Sequence, residues 1–169
     1  MPKVASILVV RLSAIGDLIL VAPITAQLAS EGHRVTLLCK DAYRSVATCL
    51  PGVDEVLSWE KDRTGIKAPN SPYDHVIDLQ GTSKSKRWCR KLHLPVRTYQ
   101  KPYLRRALLL ATKQKSFALT PVVHRYANAA APFFAEGFRP EAMQYQLRLP
   151  EVRLALPQQP YIALVLGGS

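Results

Sequence analysis

In RLSAIGDL, residues 11–18, an arginine, a serine, a glycine and an aspartate interrupt an otherwise apolar run. Charged side chains are seldom fully buried without a partner, so Arg11 and Asp17 face either solvent or a ligand. These residue types suit acid–base and anion chemistry. A carboxylate at Asp17 can take a proton from a hydroxyl. Gly16 permits a close backbone approach or a positive φ, and a helix starting there presents N–H groups and a positive dipole end to an anion. A structural role is equally open. Asp17 in a first helical turn stabilises that turn by about 0.3–1 kcal/mol, which would leave Ser13 an ordinary loop residue.

A second set lies in DLQGTSKSKRW, residues 78–88. Gln80, Gly81 and Thr82 offer amide, backbone and hydroxyl groups, while Lys84, Lys86 and Arg87 add positive charge. A solvated basic helix face is the plainer reading of that run. KPYLRR, residues 101–106, contributes Lys101, Arg105 and Arg106 around an aromatic, and again reads equally as a surface helix. Across the chain, 23 Lys and Arg against 12 Asp and Glu give a formal net charge of +11. Such an excess points to an anionic partner: nucleic acid, an anionic membrane surface or a phosphorylated small molecule.

Several chemistries are excluded. A single glycine cannot make the G-x-G-x-x-G dinucleotide fingerprint, and no G-K-[ST] follows, so RLSAIGDL is not a Walker loop either. Cys39, Cys49 and Cys89 are odd in number and form no C-x-x-C pair, which argues for free thiols in a reducing cytoplasm. His33, His75, His93 and His124 lack ligand spacing, so no protein-held metal is expected. Arg11 and Asp17 also split the amino-terminal apolar run into pieces shorter than the roughly 20 residues a bilayer span needs.

The elements that must position these residues follow from periodicity. Residues 4–10 read as a strand covered on both faces. Helical spacing takes over from Leu18 to Ala29, with Gly32 as a stop and Pro23 marking a short first turn or a kink. Strands follow at 34–38, 55–59, 73–79 and 96–99, with a short helix over 42–50 and a basic helix from Gly81 to about Leu92. Residues 101–115 read as a basic helix, and another starts after Pro121 and breaks near Pro132 or Gly137. This alternation predicts an α/β fold, a Rossmann-like parallel sheet with helices on both faces. Ligands of such sheets sit at the carboxyl ends of the strands, where the 11–17 and 80–85 loops should open onto one edge. Residues 1–145 would form this domain. The Pro- and Gln-rich residues 146–160 read as a linker, and residues 161–169, YIALVLGGS, as the first strand and turn of a second domain cut short.

Taken in order, the SAIGD turn with APIT, the VIDLQG strand end, KPYLRR, VVHRY and the terminal IALVLGGS resemble the ADP-heptose:lipopolysaccharide heptosyltransferase family. The resemblance is specific at RLSAIGD and DLQG and loose elsewhere. It implies the amino-terminal half of a two-domain GT-B fold, which binds the lipopolysaccharide acceptor, while a carboxy-terminal half holds the nucleotide sugar. It implies inverting transfer of heptose from ADP-heptose to the lipopolysaccharide inner core, with no cofactor beyond the donor substrate. Asp17 then matches the general base. Arg11, Ser13, Gly16, Gln80, Gly81, Thr82, Lys84, Lys86, Arg87, Lys101 and Arg105 would face the acceptor. The donor half is absent after Ser169, so the chain alone is expected to be inactive. The implied setting is the cytoplasm, with peripheral attraction to the anionic inner face of the membrane. Two other readings stay open: a GT-B glycosyltransferase for another sugar nucleotide, and a non-enzymatic basic module for nucleic acid. The second lacks interleaved aromatic stacking platforms, so nucleic acid is not the expected partner.

Overall fold

The computed structural model describes residues 4–59, 72–113, 119–135 and 147. The calls for a linker at 146–160 and a strand at 161–169 fall almost wholly outside these residues. The strands are β1 (Ser6–Val10), β2 (Arg34–Cys39), β3 (Glu55–Ser58), β4 (His75–Asp78) and β5 (Val96–Thr98). The helices are α1 (Ile15–Ile19), α2 (Ala22–Ser30), α3 (Arg44–Ala47), α4 (Ser83–Arg90), α5 (Tyr103–Thr112) and α6 (Val122–Ala130).

All five strands run parallel in the order β3-β2-β1-β4-β5. From β1 the chain winds one way to β2 and β3, then returns to place β4 on the other side of β1. The order reverses at the β1/β4 pair, whose register runs from Ile7 opposite His75 to Val10 opposite Asp78. In an open α/β sheet the crevice beyond that reversal is where ligands bind.

Strand periodicity divides the core between two faces. Ile7, Val9, Val35, Leu37, Val56 and Ile77 pack with Leu18, Ile24, Leu28, Ala47 and Tyr126 from α1, α2, α3 and α6. Leu8, Val10, Leu38 and Val76 pack with Trp59, Cys89 and Leu92 on the side of α4. Both faces of β1 are thus covered, as its unbroken apolar sequence requires. His33 fastens one layer across the sheet: its Nδ1 accepts from Ala5 N at 3.2 Å, which leaves Nε2 to donate to Phe133 O at 3.0 Å.

Two expected helices are shorter than their patterns. The 18–29 helix is two helices, because Pro23 in the opening turn of α2 has no N–H to continue α1. The 42–50 helix is a 3₁₀ turn, Asp41–Tyr43, followed by the four residues of α3. Beyond Ala47 the chain tightens into turns, with Cys49 N bonded to Val46 O and Leu50 N to Ala47 O, before Gly52 reverses it. The break at Pro132 appears as the 3₁₀ turn Ala131–Phe133 after α6.

Candidate active site

Arg11 is the first residue after β1. Its N–H still pairs with Leu38 O, at 2.9 Å, but its side chain turns inward across the end of β4. There Nη1 donates to Leu79 O at 2.7 Å and Nη2 donates to Asp17 Oδ2. The guanidinium also lies over the Tyr126 ring, 5.7 Å from its centre. The Arg11 side chain is 5% exposed and that of Asp17 41%, so a buried cation holds a solvent-facing carboxylate from behind.

The β4 loop is built around a second carboxylate. Asp78 is fully buried, its Oδ1 accepting from Gln80 N and Gly81 N, both at 3.0 Å, and its Oδ2 from Ser85 Oγ at 2.9 Å. Burial pushes its pKa up; these hydrogen bonds and the charge of Lys86 offset part of that rise. Thr82 and Ser85 close a capping box at the start of α4, each side-chain oxygen accepting from the other's N–H. Gly81 sits at φ +58°, where an added Cβ would lie 2.8 Å from Tyr99 O. Gln80 joins the two loops: its Oε1 accepts from Leu12 N at 3.0 Å and Ser13 N at 3.2 Å. The loops therefore meet on one edge, and Gln80, Gly81 and Thr82 each carry a structural duty there.

Of the two roles expected of Gly16, a positive φ and a close backbone approach, the first is not taken up. The glycine lies within α1 with no positive φ, and an added Cβ would meet nothing within 4 Å. Sterics of the fold do not demand glycine, and the face it presents is open. With five residues, α1 also sums few peptide dipoles, so the charge at this site comes from side chains.

A cavity of about 330 Å³ opens beside the ion pair, lined among others by Arg11, Asp17, Lys101, Tyr99, Arg125 and Tyr126. Tyr99 and Tyr126 meet edge to face with ring centres 5.0 Å apart. Arg125 lies 5.3 Å over the Tyr99 ring and donates from Nη1 to Tyr99 Oη at 2.8 Å. The Tyr126 hydroxyl is buried without a hydrogen-bond partner among the described residues. Burial pushes its pKa well up, with Arg11 the first influence pulling it back.

Of the expected site residues, Arg11, Asp17 and Lys101 come together in this cavity. Ser13 and Gly16 border the same loop, while the helix α4 cations disperse. Lys84 Nζ lies 5.6 Å over the Trp59 ring, Lys86 lines a separate groove and Arg87 is exposed. The Arg105 side chain lies outside what is described. Sequence reasoning missed Tyr99, Arg125 and Tyr126. One signal was present, since VRTY puts a tyrosine at the carboxyl end of the fifth strand, on the ligand edge. Among the described residues no cluster of His, Cys, Asp and Glu could hold a metal ion, and no helix is long and apolar enough to cross a membrane.

The strand order and the two covered faces define a Rossmann-like α/β domain. No protein-family model matches the sequence, and no curated protein does. Solved structures do share the fold. E. coli heptosyltransferase WaaC with ADP is similar at 21% identity and a TM-score of 0.55, over 82% of this chain and 49% of that one. E. coli ADP-heptose lps heptosyltransferase II is similar at 19% identity and a TM-score of 0.57, over 86% and 47%. A glycosyl transferase family 9 structure from Veillonella parvula is similar at 17% identity and a TM-score of 0.51, over 76% and 41%. The chain spans about half the length, or less, of the structures it matches.

Proposed function

We propose that this chain is the acceptor-side half of an inverting GT-B glycosyltransferase that moves heptose from ADP-heptose to the lipopolysaccharide inner core. The observation that carries the reading is the Arg11–Asp17 pair, at the strand-order reversal and beside a cavity of about 330 Å³. Arg11 occupies Asp17 Oδ2, which leaves Oδ1 to accept the proton of an acceptor hydroxyl. The acceptor's hydroxyl oxygen attacks the anomeric carbon of the sugar from the face opposite the leaving group. The new glycosidic bond forms as the bond to the nucleoside diphosphate breaks, and the proton ends on Asp17. One displacement inverts the anomeric centre and needs no covalent enzyme intermediate, so no nucleophilic serine or cysteine is required. Donor contacts belong to the other half of the cleft. WaaC has been solved with ADP and with ADP-2-deoxy-2-fluoro heptose, which supports ADP-heptose as the donor. The net charge of +11 suits a phosphorylated, lipid-linked acceptor met peripherally at the inner membrane face.

The test is transfer from ADP-heptose to phosphorylated inner-core acceptor by the protein carrying both halves, with the stereochemistry of the product determined. Inverted product supports the reading. Transfer only from another sugar nucleotide would replace the donor, and retention of configuration would overturn the mechanism. By calorimetry, this chain alone is expected not to bind ADP appreciably; micromolar binding would place donor contacts here instead.

A further inference from the structure

A second cavity, of about 700 Å³, follows the flank of β5 between α4 and α6. Four cations line it: Lys86 and Arg90 from α4, Arg97 from β5 and Arg125 from α6. Among the described residues no carboxylate lines it. Asp78 lies close enough to Lys86 to feel its charge, but its oxygens are taken by Gln80 N, Gly81 N and Ser85 Oγ. Lys86 and Arg90 stand four apart on one helix face, a like-charge spacing that costs stability by itself. A solvated helix face explains a basic run on one element. It does not explain why a strand and a second helix turn arginines into the same hollow.

Arg125 supplies an independent sign. Its Nε is buried without a partner among the described residues, and Tyr99 holds its guanidinium by a ring contact and a 2.8 Å hydrogen bond. Tyr99 thus fixes the orientation of a guanidinium whose charge faces the groove, and a charge-assisted hydrogen bond to a phosphate oxygen is open to its remaining N–H groups. Arg125 and Tyr99 line both cavities, so the groove shares a wall with the Asp17 site.

We propose that the β5 groove is a second anion site, which takes the phosphate groups of a phosphorylated saccharide while its reacting hydroxyl lies at Asp17. The saccharide rests on the glycosyltransferase reading; the anion site does not. About 700 Å³ accommodates a small molecule with more than one charged group. Among the described residues the aromatic in the wall is Tyr99, which is buried and offers no stacking platform for bases, and this disfavours nucleic acid.

The experiment titrates inorganic pyrophosphate into this chain, followed by calorimetry and by backbone amide shifts, and repeats it with Arg90→Gln/Arg97→Gln. Both side chains are exposed, so the variant should melt like the wild type. Binding with shifts centred on Val96–Thr98 and Asn128, weakened about tenfold or more in the variant, is the expected result. A parallel arm floats the chain with vesicles of phosphatidylglycerol in phosphatidylcholine. Pyrophosphate competing with the vesicles makes a lipid-borne phosphate the source; binding to pyrophosphate alone makes it a soluble one. Absent binding, shifts confined to Arg11, Asp17 and Lys101, or equal affinity in the variant would overturn the site. Tighter groove-dependent binding of a single-stranded oligonucleotide would overturn the saccharide. Pyrophosphate binding is read on this chain without any donor or transfer, so failure of the transfer reaction and failure of this site are separate outcomes.

Discussion

Arg11 donates from one guanidinium nitrogen to Asp17 and from the other to Leu79 O at 2.7 Å, so one buried side chain couples the loop after β1 to the end of β4. The two residues should respond differently to substitution. Asp17→Asn keeps an oxygen for Arg11 and, with the side chain part exposed, should cost about 1 kcal/mol or less. In the protein carrying both halves, its turnover should fall about 10²–10⁴-fold, the usual worth of a positioned base. Arg11→Ala removes a buried side chain from the face of the Tyr126 ring and frees Leu79 O, a stability loss of about 2–4 kcal/mol. Its turnover per folded molecule should fall less than that of Asp17→Asn. Thermal melting and a transfer assay check both, and near wild-type turnover in Asp17→Asn would remove the base.

Two glycines of the site give opposite expectations. Gly16→Ala meets open space and improves helix propensity, so stability should hold or rise by up to about 1 kcal/mol. Gly81→Ala must hold φ +58° with its Cβ 2.8 Å from Tyr99 O, and should lose about 1–3 kcal/mol. Chemical denaturation reads both. If a ligand packs on the open face of α1, Gly16→Ala will also raise KM for the acceptor without lowering the melting temperature. An unchanged KM would make Gly16 a spacer.

The sheet was legible because β1, β2 and β4 are buried on both faces and carry near-continuous apolar runs with turn residues between them. The ligand edge followed from connectivity, and with it the meeting of Arg11, Asp17 and Gln80. What was not legible came from distance in sequence. Tyr126 reaches Arg11 from a helix more than a hundred residues on, and helical spacing alone marks it as core. Asp78 read as the end of a strand, since only the fold shows its oxygens gathering Gln80, Gly81 and Ser85. The basic run of α4 could not be divided between faces until β3 and β5 were placed on either side of it.

Asp78 predicts a pH effect of definite sign. Burial raises its pKa above the ordinary carboxylate value near ~3.9, so the charged form is disfavoured in the fold relative to the open chain. Its contribution to stability is fully present below that ordinary value and is lost as pH rises through the raised one. Asp78→Asn abolishes this dependence. The melting temperature of the variant minus that of the wild type should therefore be more positive at about pH 7 than at about pH 3. A difference that is flat with pH, or runs the other way, would show that the three hydrogen bonds outweigh burial.

Three of the four cations of α4, Lys84, Lys86 and Arg87, predict unequal responses to salt. Lys84 rests over Trp59 and Arg87 is exposed, whereas Lys86 turns into the groove with Arg90, Arg97 and Arg125. Replacing Lys84, Lys86 and Arg87 together should weaken binding of a phosphorylated acceptor, and Lys86→Gln alone should account for most of that loss. Lys84→Gln and Arg87→Gln each act only through the general field, which screening by about 0.3 M salt largely removes. A charge that touches the ligand is screened less, so the Lys86→Gln deficit should persist at high salt while the other two fade. Affinities measured at low and high salt for the three single variants decide it. Equal deficits that vanish together on adding salt would mean that α4 offers a diffuse positive field and that Lys86 makes no direct contact.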